Sequence, residues 1–261
     1  MKVVIFCGGY GTRIRDVADD LPKPMIPLGN QPILWHIMKH YAKFGHKEFI
    51  LCLGYKGQII KEFFLNYDTQ RQDFTLALGK NRAISYHNQH TELDWTVTLA
   101  DTGLESLTAT RLRMVQPYLA EDENFLLTYG DGVGNVDINA LVEFHLNHKK
   151  AMTVTGVRPP GRFGELVSDA NGCVTEFNEK PQASGGTISG GFFVCRKEVF
   201  SYLDPKANQM LEVEPMRKLA ENREMVMFSH EGFWHPMDTY RDYSLLNSMI
   251  KEGNAPWISW K

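Results

Sequence analysis

An α/β fold with a mixed, mostly parallel sheet flanked by helices is predicted by three observations. Apolar strands alternate with amphipathic helices from residue 3 to 157, which is the pattern of βαβ units. The first strand, Val3-Val4-Ile5-Phe6, runs directly into the glycine-rich stretch Gly8-Gly9-Tyr10-Gly11. From residue 158 onward, breakers and short strands replace the regular alternation, so a smaller β-rich part is expected there.

After the glycine stretch, residues 16–28 are irregular and carry three prolines, and Asn30-Gln31-Pro32 reads as a helix start. Ile33, Leu34, Ile37, Met38 and Tyr41 share one helical face, and Gly45 stops the run. Glu48 to Leu53 predicts a buried strand, and Ile59, Ile60, Phe63 and Phe64 a second helix. Residues 66–94 are polar and weakly patterned, and read as a hairpin or excursion. A strand over Trp95 to Leu99 ends in Asp101-Thr102-Gly103, a helix is expected over Arg111 to Leu119, and Phe125 to Tyr129 is an apolar strand ending in Gly130-Asp131-Gly132. A helix over Ile138 to His148 and a strand over Met152 to Val157 follow.

Beyond the loop Arg158 to Gly164, Val167-Ser168 and Cys173 to Phe177 read as a hairpin turning at Asn171-Gly172. Thr187 to Val194 is a strand with Gly190 and Gly191 inside it, which suggests close approach of a ligand or another backbone. A helix over Glu214 to Glu221, a strand over Met225 to Ser229 and a helix over Tyr243 to Ile250 complete the chain. No repeat or linker divides it, so residues 1–261 are expected to form a single domain.

Composition excludes several classes. Apolar (43%) and charged (23%) contents are those of a globular protein, and a net charge of -3 argues against a general nucleic-acid or acidic-membrane binder. No apolar run approaches a membrane span, and the start enters a strand without the pattern of a signal peptide. Cys7, Cys52, Cys173 and Cys195 are scattered with no C-x-x-C pair, against a zinc site or disulfide framework and in keeping with a reducing cytoplasm.

Glycines after a strand let backbone N–H groups approach an anion, and Arg13 and Lys23 follow with no acid beside them to pair with. A phosphate grip is the functional reading; a tight turn with incidental cations is the bland one. The loop lacks both the G-x-x-x-x-G-K-[ST] pattern and the third glycine of G-x-G-x-x-G, against a P-loop NTPase or a dehydrogenase. Lys23, between two prolines, is expected in an extended segment. Asp131 follows the C-terminal end of a strand, where open parallel sheets bind ligands, though an acid in a turn is often only a turn former. Asp131 and Asp238 could share one Mg²⁺, with Asp238 as a helix cap the competing reading. Glu179-Lys180-Pro181 presents another lysine before a proline, and most such lysines are solvated surface. His36 and His40 have i, i+4 spacing but lack the glutamate of a zinc helix, so no metal site is assigned to them.

Taken together, Gly8 to Arg13, Pro22-Lys23-Pro24, Gly130-Asp131-Gly132, Glu179-Lys180-Pro181 and Asp238 make the sequence resemble the sugar-1-phosphate nucleotidyltransferases. Pro32 to Lys39, Gly54 to Gly57, Pro159 to Gly164, Gly190 to Phe193 and Gly232 to Thr239 extend the resemblance, toward the glucose-1-phosphate cytidylyltransferases within that family. The resemblance implies a Rossmann-like fold of the nucleotide-diphospho-sugar transferase type, with residues 1–157 mainly nucleotide-binding and 158–261 mainly for the sugar phosphate and the C-terminal helix. It implies Mg²⁺-assisted attack of α-D-glucose 1-phosphate on the α-phosphorus of CTP, giving CDP-glucose and pyrophosphate. Carried over by position, Gly8, Gly9, Tyr10, Gly11, Thr12, Thr102, Ser106, Arg111 and Gly130 would bind the nucleotide. Arg13 and Lys23 would do so too, stabilising the departing pyrophosphate and acting with Asp131 in catalysis. Asp131 and Asp238 would bind the metal. Gly164, Glu179, Lys180, Gly190 and Gly191 would lie on the sugar-phosphate side.

Cys7 and Tyr10 depart from the alanine and leucine common in the family, and Glu165 puts a carboxylate beside the sugar side. The same chemistry with UTP, dTTP or another sugar 1-phosphate is therefore the alternative, and a non-catalytic nucleotide-sensing subunit the remote one. Relatives also imply a homo-oligomer, for which the apolar Trp257-Ile258-Ser259-Trp260 is a candidate contact.

Overall fold

The computed structural model describes residues 1–11, 20–79, 82–159, 165–168, 173–178 and 186–260. Seven strands form the central sheet: β1 (Val3–Cys7), β2 (Glu48–Leu53), β3 (Thr96–Asp101), β4 (Asn124–Tyr129), β5 (Met152–Val157), β6 (Ile188–Arg196) and β7 (Met225–His230). Their order is β7-β5-β6-β4-β1-β2-β3. Every neighbouring pair is parallel except those made by β6, which runs antiparallel to both β5 and β4. The expected mixed, mostly parallel sheet is thus present.

Helices cover both faces: α1 (Ile33–Lys43), α2 (Gly57–Leu65), α3 (Tyr67–Arg71), α4 (Thr108–Met114), α5 (Ile138–His148), α6 (Glu214–Glu221) and α7 (Tyr240–Lys251). Alternate strand residues point to opposite faces. Val3, Ile5 and Cys7 of β1 pack with α1, α5 and α7, whereas Val4 and Phe6 pack with α4 and α6. Strands buried on both faces explain the unbroken apolar runs of β1 and β4.

Several boundaries differ from expectation. The helix expected over Arg111 to Leu119 begins earlier, at Thr108, and ends at Met114; a 3-10 turn over Gln116–Leu119 follows. Pro117 supplies the reason, since it has no N–H for an α-helical bond and its ring crowds the preceding turn. The last helix starts at Tyr240, because Thr239 caps it and Asp242 closes a capping box back onto Thr239. Residues 66–94 hold α3 and a hairpin pairing Phe74–Leu76 with Ile84–Tyr86. The expected second-half hairpin pairs Glu165–Ser168 with Val174–Asn178, and its Asn171-Gly172 turn lies outside the described residues.

Lys23 is not extended: it opens a 3-10 turn over Lys23–Met25, in which Pro24 fills an early position needing no donor. Nor is Trp257 available to a neighbouring molecule. It is 1% exposed, stacks on Phe233 at 5.4 Å and donates its Nε1–H to His36 Nδ1 at 3.4 Å. Trp260 packs edge-on against Trp35.

Candidate active site

The C-terminal ends of β1, β3 and β4 open onto a cleft of about 450 Å³. The Gly8 to Gly11 backbone forms one wall and residues 104–108 with Met210 another, while Lys23, Asp131 and Asp238 sit at one end. This is the edge at which an open parallel sheet offers loops and unpaired backbone groups to a ligand.

Arg111 organises the loops from beneath. Its Nη1 donates to the carbonyls of Leu53 (3.0 Å) and Gly103 (2.8 Å) and to Thr102 Oγ1 (2.7 Å). Its Nη2 donates to the carbonyls of Gly8 (3.1 Å) and Leu104 (3.2 Å). One guanidinium, 4% exposed, thus fastens the ends of β1, β2 and β3 together. Gly8 is glycine because a Cβ there would meet Arg111 Cζ at 2.3 Å. Thr102, 1% exposed, is part of the same brace; its hydroxyl donates to the Leu53 carbonyl at 2.7 Å, and it stands behind the cleft wall.

The two aspartates reach the cleft from distant segments. Asp131 follows β4. Just beyond it the short strand Gly132–Gly134 pairs antiparallel with Trp234–Pro236, Gly132 opposite Pro236. That pairing delivers Asp238 to Asp131. The Lys23 ammonium lies between them, 2.8 Å from Asp131 Oδ2 and 2.5 Å from Asp238 Oδ1. Lys23 is therefore paired, by acids 108 and 215 residues away. Burial pulls its pKa down, but the two carboxylates outweigh burial and leave it above the ordinary lysine value.

Asp238 does not cap α7; Thr239 does. Asp242 instead holds the turn, its Oδ2 accepting from the N–H groups of Asp238 (3.1 Å) and Thr239 (2.8 Å), while its Oδ1 lies 3.0 Å from His235 Nε2. The carboxylate of Asp238 thus faces the cleft, where it meets Lys23. Two hard oxygen donors converging on one positive charge, beside space for further oxygens, are a donor set that fits a divalent cation. Among the described residues no group of three or more His, Cys, Asp or Glu side chains gathers to hold a metal. His36 and His40 each place Nε2 2.9 Å from a backbone carbonyl, of Leu28 and Val136, as core residues.

A recess of about 60 Å³ adjoins the cleft at Asp131 and is lined by Gly190 and Gly191 with Thr128, Tyr129 and Trp234. The strand glycines have a packing reason here. Gly191 has φ +77° and a Cβ on it would meet the Tyr129 ring at 2.6 Å, so a side chain, not a backbone, makes the close approach.

Of the residues expected to act, Gly8, Gly9, Tyr10, Gly11, Lys23, Ser106, Arg111, Gly130, Asp131 and Asp238 line the cleft. Thr102 does not, and Arg111 spends its donors on carbonyls and the Thr102 hydroxyl. Thr12, Arg13, Gly164, Glu179 and Lys180 lie outside the described residues. Sequence reasoning missed Glu105, which accepts a hydrogen bond from the Tyr10 hydroxyl across the cleft, and Glu212. Glu212 accepts from the Tyr129 hydroxyl and, at 2.6 Å, from Thr108 Oγ1. Neither acid sits in a recognisable motif; only the position of Glu105 just past the end of β3 was a signal.

Comparison with known proteins gives the family. A family model described as nucleotidyl transferase matches residues 2–252. Proteins of Salmonella typhi and Salmonella typhimurium, both named glucose-1-phosphate cytidylyltransferase, are each 47% identical over 261 residues, covering all of this chain and all of theirs. A solved structure, HddC from Yersinia pseudotuberculosis, shares the fold with a TM-score of 0.66 at 21% identity, over 95% of this chain and 99% of that one. The chain belongs to the nucleotidyl transferase family.

Proposed function

We propose that the protein transfers the cytidylyl group of CTP to α-D-glucose 1-phosphate, giving CDP-glucose and pyrophosphate. A phosphate oxygen of the sugar phosphate attacks the α-phosphorus, and the bond from that phosphorus to the β-phosphate oxygen breaks. The observation that carries this reading is the convergence of Lys23, Asp131 and Asp238 at the end of a cleft walled by the Gly8–Gly11 backbone. Backbone N–H groups, an ammonium and carboxylates for a cation are what phosphoryl chemistry needs, since positioning and charge neutralisation replace a protein nucleophile. Full-length identity of 47% to proteins named for this reaction supports the choice of nucleotide and sugar.

In this reading Asp131 and Asp238 hold Mg²⁺, which when bound neutralises charge on the phosphate oxygens. Gly8, Gly9, Tyr10, Gly11, Ser106 and Gly130 border the nucleotide, with Arg111 and Thr102 bracing the loops that do so. The Gly190-Gly191 recess borders the sugar. Residues 1–157 carry mainly the nucleotide and 158–261 mainly the sugar phosphate. Assembly of several copies belongs to the reading too, supported by the exposed Leu76, Leu78 and Ile84 of the hairpin, and a solution mass tests it.

The reaction is tested by pyrophosphate release across a matrix of CTP, UTP, dTTP, ATP and GTP against several sugar 1-phosphates, with Mg²⁺. CTP with glucose 1-phosphate is expected to give the highest kcat/KM. Turnover with no sugar phosphate when CTP is the donor refutes the assignment.

A further inference from the structure

Lys23 holds the position a divalent cation would need. Its Nζ bridges Asp131 Oδ2 and Asp238 Oδ1, and its side chain keeps 12% of its surface exposed. The backbone beneath it cannot retreat, because Lys23 opens a 3-10 turn whose Pro24 and Met25 are buried. Its stem runs directly under the glycine loop, where a Cβ on Gly11 would stand 3.1 Å from Lys23 Cβ. Only the torsions of the lysine side chain can move the charge, and the open direction is the cleft beside Gly8 to Gly11.

Resting on the reading of Asp131 and Asp238 as cation ligands, we infer that Lys23 is a resident counterion which the divalent cation displaces and the triphosphate receives. Two cations cannot share one gap between two carboxylate oxygens, since their repulsion at that separation in a half-buried site is strong. An ammonium turned out of the gap on a mostly buried stem is costly unless an anion accepts it. Phosphates held by the glycine loop provide that anion. Cation and nucleotide therefore bind with positive coupling, and the coupling is reciprocal. Lys23 has two settings: between the carboxylates, where it keeps their mutual repulsion in check, and against the phosphates, where it stabilises the leaving group.

The experiment is Mn²⁺ binding to the full chain, followed by electron paramagnetic resonance, first without nucleotide. Lys23→Met is expected to bind Mn²⁺ on the order of tenfold more tightly than the wild type, whereas Lys23→Arg, which keeps the charge, stays close to wild type. A CTP analogue with a methylene between the α- and β-phosphorus is then titrated with and without Mn²⁺. The gain in analogue affinity from Mn²⁺ is expected to be largest in the wild type and to shrink in Lys23→Met. Circular dichroism of the variants checks the fold, and Asp131→Asn serves as the control expected to lose Mn²⁺ binding. If Lys23→Met binds Mn²⁺ no more tightly than wild type while Asp131→Asn loses it, the counterion role is overturned and the metal reading stands. If Asp131→Asn binds Mn²⁺ as wild type does, both fall.

Discussion

Met237 donates its backbone N–H to the carbonyl of Asp131 at 2.8 Å, so the segments bearing the two convergent carboxylates are joined main chain to main chain. The pairing of Gly132–Gly134 with Trp234–Pro236 continues that junction, and Asp242 secures its far side. The distance between the acids is therefore fixed by backbone structure, and side-chain replacements at either acid test chemistry with little disturbance of the frame.

Asp131→Asn is the direct case. It keeps shape and removes one negative charge, and we expect kcat with CTP and glucose 1-phosphate to fall by roughly 10²-fold or more. The melting temperature should stay within a few degrees, because the side chain is about one-third exposed and outside the core. Steady-state kinetics at saturating Mg²⁺, paired with a thermal melt, checks both halves. Near-normal turnover would remove Asp131 from the metal role.

Arg111 should behave in the opposite way, through stability. Arg111→Met removes the donor that the carbonyls of Gly8, Leu53, Gly103 and Leu104 now share, on a side chain that is itself almost fully buried. A loss of about 3 kcal/mol is expected, since hydrogen bonds to a charged group are among the stronger ones and several are lost together. Arg111→Lys should rescue little, because one ammonium cannot span two sets of carbonyls held by a planar fork. Guanidinium unfolding curves measure the difference, and a wild-type midpoint for Arg111→Met would contradict the brace.

Acid should unfold the protein through buried histidines. Burial, partly opposed by the hydrogen bonds to backbone carbonyls at His36 and His40, holds the His36, His40 and His145 rings down to about 4. In the unfolded chain they titrate near 6.5. Between those values the unfolded chain binds up to three more protons, so stability is full above pH 6.5 and is lost as pH falls through 4. The slope near pH 5 is at most about 4 kcal/mol per pH unit. Denaturant titrations at pH 7, 6 and 5 test this, and a flat dependence over that range would show that these rings are not held neutral.

Much of the frame was readable because strands buried on both faces must be apolar throughout and amphipathic helices must repeat near 3.6 residues. β1, β2, β4 and α1 show those patterns plainly. The site was readable where a motif marks a strand end, as at Gly8 and Asp131. It was not readable where the cleft is assembled by contacts between remote segments. Nothing in the neighbourhood of Lys23 announces Asp131 and Asp238 as its partners. The short strand Trp234–Pro236 that brings Asp238 in is too brief and too aromatic to stand out. The family resemblance alone puts Arg111 at the nucleotide, and only the folded chain reveals the four carbonyls to which it donates. The glycines inside β6 suggest close approach of a ligand or another backbone, whereas at Gly191 it is the Tyr129 side chain that comes close.

β6 comes from the second half of the chain, yet it is hydrogen-bonded between β4 and β5 of the first. A chain cut after residue 157 would leave β4 and β5 without the strand that joins them, each presenting open backbone donors and acceptors. The two halves of the chain are consequently not exchangeable modules. New sugar or base preferences in such a scaffold have to arise by replacing side chains and loops at the sheet's edge, with β6 kept as the common seam.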